Sequence, residues 1–388
     1  MRILHTFTGG SGHLNPQLPL ARAAEAAGHT VAFACQQAMV AAVADAGFTA
    51  FGTGGDTLGT TTLGPLVALD SEREDRGLRD GFARRVAGER VPRLLEVCAD
   101  WKPDLIVWDE VDYGAAIAAE RLGLPHASVL VIAAGSFNRA ELVAEPLGEL
   151  RAEHCLPPDP GMSMLSRYLV LSPVPPSYRD PGFPLPGTAH AFRPPRGDES
   201  ATAPAWLAAL PYRTTAYVTL GTIFNVESGD LFPRVLAGLR EMPANVVVTV
   251  GPHVDPARFG PQPGNVHIEQ HIPQSVVLPR CDVVVSHGGS GSVMGALAHG
   301  LPAVLVPLGA DQPHNARRCR ELGVAEVLDA VTATPQDIRA AVSTVLADPG
   351  YRRAAERLRD EIAALPDPAR AVALLERLAA EKCPIVRS

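Results

Sequence analysis

The sequence lacks the features that mark a metal cage, a disulfide framework, a nucleic-acid binder or a membrane protein. It has no C-x-x-C pair, and its six cysteines lie far apart, at Cys35, Cys98, Cys155, Cys281, Cys319 and Cys383. Reduced thiols in a cytoplasm fit this spacing best. Lysine and arginine form no run and the formal net charge is −8, which argues against nucleic acid as a partner. The apolar run in "MRILHTF" is too short for a signal peptide or a membrane span, so we expect no stable membrane insertion.

The sequence does contain two series of short apolar segments that alternate with helical segments. Such alternation predicts parallel sheets covered by helices on both faces. A proline-rich stretch from Pro173 to Pro211 separates the two series. We therefore expect an N-terminal domain over residues 1–195, a linker over 196–210, a C-terminal domain over 211–366, and a final helix over 367–388 that packs back on the N-terminal domain.

The turn after the first apolar segment, "GGSGHLNP", places His13 among glycines. A dinucleotide fingerprint is disfavoured, because Asn15 stands where the last glycine of G-x-G-x-x-G belongs. The next strand, "TVAFACQQ", also ends without the acidic residue that a nicotinamide cofactor requires. A histidine satisfied within the core and a plain structural turn are the other interpretations. The flanking glycines leave the ring uncovered at an expected helix start, which disfavours imidazolium and suits a neutral base.

The second series contains a longer motif, "VVVSHGGSGSVMGALAHGLPAVLVPLGADQPHNA". Its glycines allow a ligand to approach the backbone, and two serine hydroxyls lie beside the free N–H groups of a helix start. These features predict a diphosphate site, with His287 donating to a phosphate oxygen. Asp311 and Gln312 follow the next strand and suit vicinal hydroxyls. A glycine-rich packing turn and a helix cap explain the glycines and Asp311, but not the combination.

Both motifs resemble those of the family 1 glycosyltransferases of GT-B fold. The donor-binding signature of that family is similar to the long motif, and its acceptor-side histidine turn is similar to "GGSGHLNP". The likeness covers nearly the whole chain and is greatest to actinobacterial enzymes that glycosylate macrolide, polyketide and enediyne natural products. It implies two doubly wound parallel-sheet (Rossmann-like) domains that face each other across a cleft.

The resemblance also assigns roles to residues. His13 would be the general base, with Asp109 at the end of "PDLIVWDE" orienting its ring. Asp112 is the alternative partner, and either aspartate could instead cap the helix at Tyr113. His271 stands where the family usually has an aromatic residue against the nucleotide base. The donor-site roles fall on Thr222, Ile272, His287, Gly289, Ser290, Gly291, Ser292, Asp311 and Gln312.

The reaction implied is the inverting transfer of a sugar, such as a deoxysugar, from a nucleotide diphosphate donor to a hydroxyl of a hydrophobic secondary metabolite. Thymidine is favoured over uridine by the resemblance alone. No cofactor and no metal are expected, since no D-x-D motif could bridge the phosphates through an ion. A homodimer is among the assemblies that the resemblance allows.

Three other functions stay open at this point: a sugar-nucleotide epimerase of the same architecture, a non-catalytic nucleotide-sugar sensor, and a nicotinamide oxidoreductase. The acceptor would lie among residues 54–80 and 135–165, which are expected to form long loops with short helices.

Overall fold

The computed structural model describes residues 1–57, 64–194 and 202–387. The contacts among residues divide the chain into two units. The first comprises Met1–Gly59, Ser71–Pro194 and Leu365–Ser388, and the second comprises Thr60–Asp70 and Pro195–Ala364. Residues 64–70 thus group with the second unit, although the sequence pattern placed them in the N-terminal domain.

The strands of the described residues belong to two sheets. Those of the first unit are β1 (Arg2–Thr6), β2 (Thr30–Cys35), β3 (Thr49–Gly52), β4 (Leu105–Asp109), β5 (His126–Val129), β6 (Leu169–Ser172) and β7 (Ala189–Ala191). Those of the second are β8 (Thr215–Thr219), β9 (Asn245–Thr249), β10 (Val266–Glu269), β11 (Val283–Ser286), β12 (Ala303–Leu305) and β13 (Ala325–Val327).

Both sheets are parallel throughout. The first has the order β3-β2-β1-β4-β5-β6-β7 and the second has the order β10-β9-β8-β11-β12-β13. In each sheet the chain starts at an interior strand, β1 or β8, adds two strands toward one edge, and then returns to add the others on the opposite side. This is the doubly wound arrangement. Central strands such as β4 and β9 are buried at every residue, as expected for strands covered on both faces. The expected α/β class with two doubly wound sheets is confirmed.

The helices of the described residues complete both units. The α-helices are α1 (Ser11–Leu14), α2 (Leu18–Ala26), α3 (Val40–Asp45), α4 (Ser71–Arg76), α5 (Ala87–Trp101), α6 (Tyr113–Leu122), α7 (Ala140–Glu153), α8 (Leu231–Leu239), α9 (Gln274–Val277), α10 (Ser290–Ala298), α11 (Gln312–Glu321), α12 (Pro335–Ala347), α13 (Pro349–Ala364) and α14 (Pro368–Glu381). A π-helical segment, Gly77–Val86, joins α4 to α5. Short 3₁₀ turns lie at Gln37–Met39, Ser163–Leu165, Pro176–Tyr178, Ala205–Ala208, Phe224–Glu227, Pro256–Phe259 and Leu278–Arg280.

The two stretches expected as loops contain more helix than the sequence pattern indicated. Residues 71–80 begin a helical run that extends to Trp101, and α7 occupies fourteen residues of the second stretch. The first run starts with "SEREDRGLRD", whose charged residues and glycine hide any apolar helical period. Its π-helical part also has a wider turn than an α-helix, so a search for a 3.6-residue repeat misses it.

Residues 64–70 pack on the second unit. The N–H of Gly64 donates to the carbonyl of Val226 at 2.7 Å, and Leu66 packs against the core of the second sheet. A Cβ at Gly229 would stand 2.7 Å from the backbone nitrogen of Leu66, so the two residues are in close contact. The part of the expected acceptor region that these residues form therefore belongs to the second unit.

The C-terminal helix belongs to the core of the first unit. Its buried residues Ala371, Val372, Leu375 and Leu378 join the apolar cluster formed by β1, β2 and α2. None of the described helices is long and apolar enough to cross a membrane.

Candidate active site

The glycine-rich turn after β1 holds the ring of His13 against its own backbone. A Cβ at Gly9 would stand 2.6 Å from the Cδ2 atom of that ring, so any side chain there would displace it. Gly9 also has a φ of 93°, which glycine adopts without the steric cost that other residues incur. Both requirements select glycine at this position. The turn is therefore shaped around the histidine.

The helix at whose start His13 was expected is short. The helix α1 has four residues and His13 is the third, while α2 begins only at Leu18. The ring does not stand at the N-terminus of a long helix whose dipole would disfavour imidazolium. Its electrostatic environment comes instead from the carboxylate beside it.

That carboxylate belongs to Asp109, the last residue of β4. Its Oδ2 atom lies 3.2 Å from Nδ1 of His13 and accepts a hydrogen bond from the N–H of Thr8 at 2.8 Å. Its Oδ1 atom accepts from the N–H groups of Val111 at 2.8 Å and Asp112 at 3.1 Å. Asp109 is fully buried, whereas the His13 side chain is 24% exposed. An ionised carboxylate only accepts hydrogen bonds, so a neutral imidazole paired with it would carry its proton on Nδ1 and keep the lone pair on Nε2.

The alternative partner, Asp112, is occupied elsewhere. Arg90, from α5, donates to both of its oxygens, through Nε at 2.9 Å and Nη2 at 2.7 Å, and both side chains are fully buried. Burial raises the pKa of the Asp112 carboxyl, and the facing guanidinium opposes that rise. Asp112 occupies the N-cap position of α6, but its side chain makes no capping bond. The geometry thus pairs His13 with Asp109 and gives Asp112 to Arg90.

A second cluster of polar residues follows β11 in the second unit. The ring of His287 lies between two glycine turns, since a Cβ at Gly221 or Gly289 would stand 2.7 Å or 2.5 Å from its Nε2 atom. Its buried Nδ1 atom has no hydrogen-bond partner among the described residues. Burial lowers the pKa of His287 to about 4, an effect that a hydrogen bond with the Thr219 backbone opposes. The ring is therefore neutral at physiological pH.

The helix α10 starts next to a network of three side chains. The hydroxyl of Ser290 donates to Oδ2 of Asp311 at 2.6 Å. The Nδ2 group of Asn315 donates to the same oxygen at 2.8 Å, to the Ser290 hydroxyl at 3.1 Å and to the carbonyl of Gly288 at 3.0 Å. Asp311 occupies the N-cap position of α11 without a capping bond from its side chain, so helix capping does not explain it.

Comparison with known proteins identifies the family. Two models of one family, described as erythromycin biosynthesis protein CIII-like, match the chain. The model of the N-terminal domain matches residues 22–146, and that of the C-terminal domain matches residues 233–378. The chain belongs to this family. Its members named below are glycosyltransferases, so the family expected from the sequence motifs and the enzyme class are both confirmed.

Three relatives show the extent of the similarity. The L-demethylnoviosyl transferase of Streptomyces niveus is 31% identical over 98% of this chain and 98% of its own length. The aklavinone 7-beta-L-rhodosaminyltransferase of Streptomyces galilaeus is 29% identical over 98% of this chain and 96% of its own. The crystal structure of the glycosyltransferase VinC in complex with dTDP has a TM-score of 0.77, with 27% identity over 98% of this chain and 100% of that one. This glycosyltransferase of natural-product biosynthesis therefore has the GT-B fold.

The other donor-site candidates of the glycosyltransferase differ in what their side chains can offer. Gln312 is buried, and its Oε1 atom accepts from the N–H groups of Leu308 at 2.7 Å and Gly309 at 3.3 Å. Only its amide nitrogen could therefore reach a ligand. Ile272 is also buried, and because its side chain is a hydrocarbon, any hydrogen bond to a ligand would come from its backbone.

The remaining candidates lie where a ligand could approach them. Thr222 follows β8 and is exposed, and Ser292 is half-buried in the first turn of α10. At Gly291 an added Cβ would meet no described atom within 4 Å. Packing therefore does not require glycine at 291, and the space over the start of α10 is open.

Sequence reasoning missed several residues that shape these sites. Asn315 stands in the quoted motif as "HNA", but nothing in its spacing marks an asparagine that supports Ser290 and Asp311. Arg90 lies in a helix that the sequence pattern did not reveal. Glu110, next to Asp109, accepts at Oε1 from the N–H groups of Val131 and Ile132, both at 2.7 Å. Apart from the bond between Asn315 and Asp311, these contacts join residues far apart in sequence, so no local pattern predicts them.

We expect His287→Ala to weaken the binding of a nucleoside diphosphate by about 1–3 kcal/mol, because one well-buried hydrogen bond to phosphate is lost. Isothermal titration calorimetry measures this directly. The loss should be the same at about pH 6 and about pH 8, since a ring with a pKa of about 4 is neutral at both. His299→Ala is the matched control, because that ring bonds to the Gly295 carbonyl of its own helix. Unchanged affinity in His287→Ala would remove this residue from the donor site.

Proposed function

We propose that this glycosyltransferase moves a sugar from a dTDP-sugar to a hydroxyl group of a hydrophobic natural-product acceptor, with inversion and without a metal ion. His13 is the general base in this proposal, and Asp109 orients its ring. The His13–Asp109 pair is the observation that supports the proposal most directly. The dTDP bound in the VinC structure favours thymidine in the donor.

The first chemical step is removal of the acceptor proton. The Nδ1–H group of His13 points to Asp109 at 3.2 Å, which leaves the Nε2 lone pair for the acceptor hydroxyl. The imidazolium that forms is stabilised by the Asp109 carboxylate. Because three backbone N–H groups also donate to this carboxylate, it is held in position before the proton moves.

The deprotonating hydroxyl then attacks the anomeric carbon from the face opposite the diphosphate. A bond forms between the acceptor oxygen and that carbon, while the bond from the carbon to the phosphate oxygen breaks with its electron pair. The transition state resembles an oxocarbenium ion, and attack from the opposite face inverts the anomeric configuration. The proton remains on His13 until solvent removes it.

The leaving diphosphate gains negative charge that the second unit would stabilise. The N–H groups at the start of α10 and the Ser292 hydroxyl are suited to phosphate oxygens. The Ser290 hydroxyl donates to Asp311, so it would reach a phosphate oxygen only by exchanging that bond. His287 and Thr222 would add hydrogen bonds. Among the described residues, no group of three or more His, Cys, Asp or Glu side chains is placed to hold a metal ion. We therefore propose that these donors do the work that a divalent cation does in other transferases.

Asp311 and Gln312 would bind hydroxyls of the transferred sugar. We expect Asp311→Ala to weaken binding of the intact dTDP-sugar by about tenfold or more and that of dTDP by less than about threefold, because a charge-assisted bond to the sugar is lost. Calorimetry with the two ligands measures the difference. Asp311→Asn is the control. It removes the charge, but its amide oxygen can still accept the hydrogen bond that the Ser290 hydroxyl makes to Asp311 at 2.6 Å. Equal weakening of both ligands would show that Asp311 only shapes the turn.

The proposal as a whole is tested by incubating the enzyme with a panel of dTDP- and UDP-sugars and aromatic polyketide or macrolide acceptors. Mass spectrometry detects the glycoside, and the proton coupling at the anomeric carbon reports its configuration. A product of inverted configuration, formed equally with and without EDTA, supports the transfer, the inversion and the independence of a metal ion. Retention of configuration or loss of activity with EDTA would contradict it. Conversion of the donor sugar without any acceptor would instead indicate an epimerase.

A further inference from the structure

One buried amide connects the His13 turn to a second loop of the first unit. Gln36 directly follows β2 and its side chain is fully buried. Its Nε2 group donates to the carbonyl of Gly9 at 2.7 Å. Its Oε1 atom accepts from the N–H of Thr57 at 2.8 Å and from the Thr57 hydroxyl at 3.4 Å. The sequence "TVAFACQQ" thus places, at the end of the second strand, an amide that contacts two loops.

The Gly9 carbonyl is part of the backbone on which the His13 ring lies. A Cβ at Gly9 would stand 2.6 Å and 2.8 Å from the Cδ2 and Nε2 atoms of that ring, so ring and backbone are in direct contact. One residue earlier, the N–H of Thr8 donates to Asp109. The turn is therefore held at two successive residues, by Asp109 through Thr8 and by Gln36 through Gly9. A rotation of the Gly9 peptide would move the surface that supports the ring.

Glutamine is suited to this position by its chemistry. The site needs a donor toward the Gly9 carbonyl and an acceptor toward the Thr57 N–H, and a carboxamide supplies both without charge. A carboxylate cannot donate, and a hydrocarbon would remove this partner from the buried Gly9 carbonyl and from the half-buried Thr57 N–H. The side chain is buried and does not reach solvent, so it cannot touch an acceptor or a donor sugar.

The loop on the far side of Gln36 is held by a second buried group. Arg90 donates to the Thr53 hydroxyl at 2.7 Å and to the Gly54 carbonyl at 3.3 Å, while its other nitrogens bond to Asp112. Residues 53–57 are thus fixed at one end by Arg90 and at the other by Gln36. Both groups connect them to the backbone that carries His13 and Asp109.

We propose that Gln36 is a positioning residue for His13, acting through the Gly9 carbonyl, and that it couples residues 53–57 to the orientation of the ring. This inference rests on the proposed role of His13 as the base. Gln36 contributes no proton and no contact to substrate. It holds the ring in the orientation in which Nε2 can take the proton from the hydroxyl group of the acceptor substrate.

The test compares Gln36→Met, which fills the site without hydrogen bonds, with Gln36→Glu, which keeps the acceptor toward Thr57 but cannot donate to Gly9 when ionised. We expect kcat to fall by about 10–100-fold in both variants, since small displacements of a catalytic group have effects of this size. The KM values for donor and acceptor should change by less than about twofold, because neither substrate touches this side chain. The affinity for dTDP should equal that of the wild type.

Two further variants separate positioning from general destabilisation. Asn245→Leu removes another fully buried amide, one that bonds to Tyr212 and Thr215 in the second unit. It should lower the melting temperature as Gln36→Met does and leave kcat unchanged. The double variant His13→Ala/Gln36→Met should be as slow as His13→Ala alone, because a positioning residue has no effect once its target is gone.

The possible results are distinguishable. A full-rate Gln36→Met enzyme, a Gln36→Glu enzyme whose rate stays full up to the highest pH at which the fold persists, a kcat loss shared by Asn245→Leu, or a further loss in the double variant would each overturn the inference. If His13→Ala itself keeps the full rate, the proposed base role fails, and the positioning role fails with it. If His13→Ala is inactive while Gln36→Met is not, only the positioning role is wrong.

Discussion

His13→Ala is expected to lower the rate of glycosyl transfer by about 10²–10⁴-fold, the usual contribution of a positioned general base. Binding of the donor should stay as in the wild type, because the donor-site candidates all lie in the second unit whereas His13 lies in the first. The fold should also persist, since the side chain is 24% exposed and Asp109, which it contacts, keeps three backbone donors. Single-turnover kinetics with saturating donor, together with calorimetry for dTDP, measure the two properties separately.

Asp109→Asn and Asp112→Asn form a matched pair for the same question. Asp109→Asn removes the charge that faces His13 and should lower turnover with little effect on donor affinity. Asp112→Asn leaves the His13–Asp109 contact intact but weakens the ion pair with Arg90, so its main effect should be on stability. A full-rate His13→Ala enzyme would exclude the base role. A full-rate Asp109→Asn enzyme beside a slow Asp112→Asn enzyme would move the partner role to Asp112.

Arg90→Met is expected to destabilise the first unit by about 3–5 kcal/mol, because it leaves the Asp112 carboxylate buried without a counter-charge. Both side chains are fully buried, and Arg90 also donates to Thr53 and to the carbonyls of Ala34 and Gly54. The penalty should shrink as the pH falls. Without Arg90, burial raises the pKa of the Asp112 carboxyl above its unfolded value, so protonation favours the folded state. Urea denaturation at several pH values measures the change.

The controls for this prediction come from the same helix and the same pair. Arg93→Met, three residues along α5, removes an exposed pair with Glu96 and should change stability by less than about 1 kcal/mol. Combining Arg90→Met with Asp112→Asn should recover part of the loss, since no unpaired charge is then buried. If Arg90→Met lowers the free energy of unfolding no more than Arg93→Met does, the buried Arg90–Asp112 pair does not stabilise the first unit.

The local sequence was sufficient for most strands and for the turns that follow them. Continuous apolar runs such as "TVAFAC" and "NVVVT" are typical of strands covered on both faces of a parallel sheet, and they form β2 and β9. Glycine at position 9 and the serines at 290 and 292 marked the two turns because backbone conformation and free helix N–H groups are local properties. The long helical run that begins at residue 71 was not predicted, because its charged residues and its π-helical segment hide the 3.6-residue repeat of apolar positions.

The family was evident from the sequence, since the donor motif and the histidine turn are continuous stretches of chain. Which aspartate meets His13 was not, because it depends on which strands are neighbours. In the first sheet β1 pairs with β4 in a register that sets Thr6 opposite Trp108, so Thr8 and Asp109 follow at the same edge. Asp112, only three residues later, turns instead to a guanidinium from α5.

The same distinction applies to the residues that support the site. His13, His287 and Asp311 could be singled out because their motifs place each one at a strand end or a helix start. Gln36, Arg90 and Asn315 act through partners up to 56 residues away, such as the Ala34 carbonyl that accepts from Arg90. Buried polar groups must find partners wherever the folded chain brings them. Their roles were therefore decided only when the strands, helices and turns packed together.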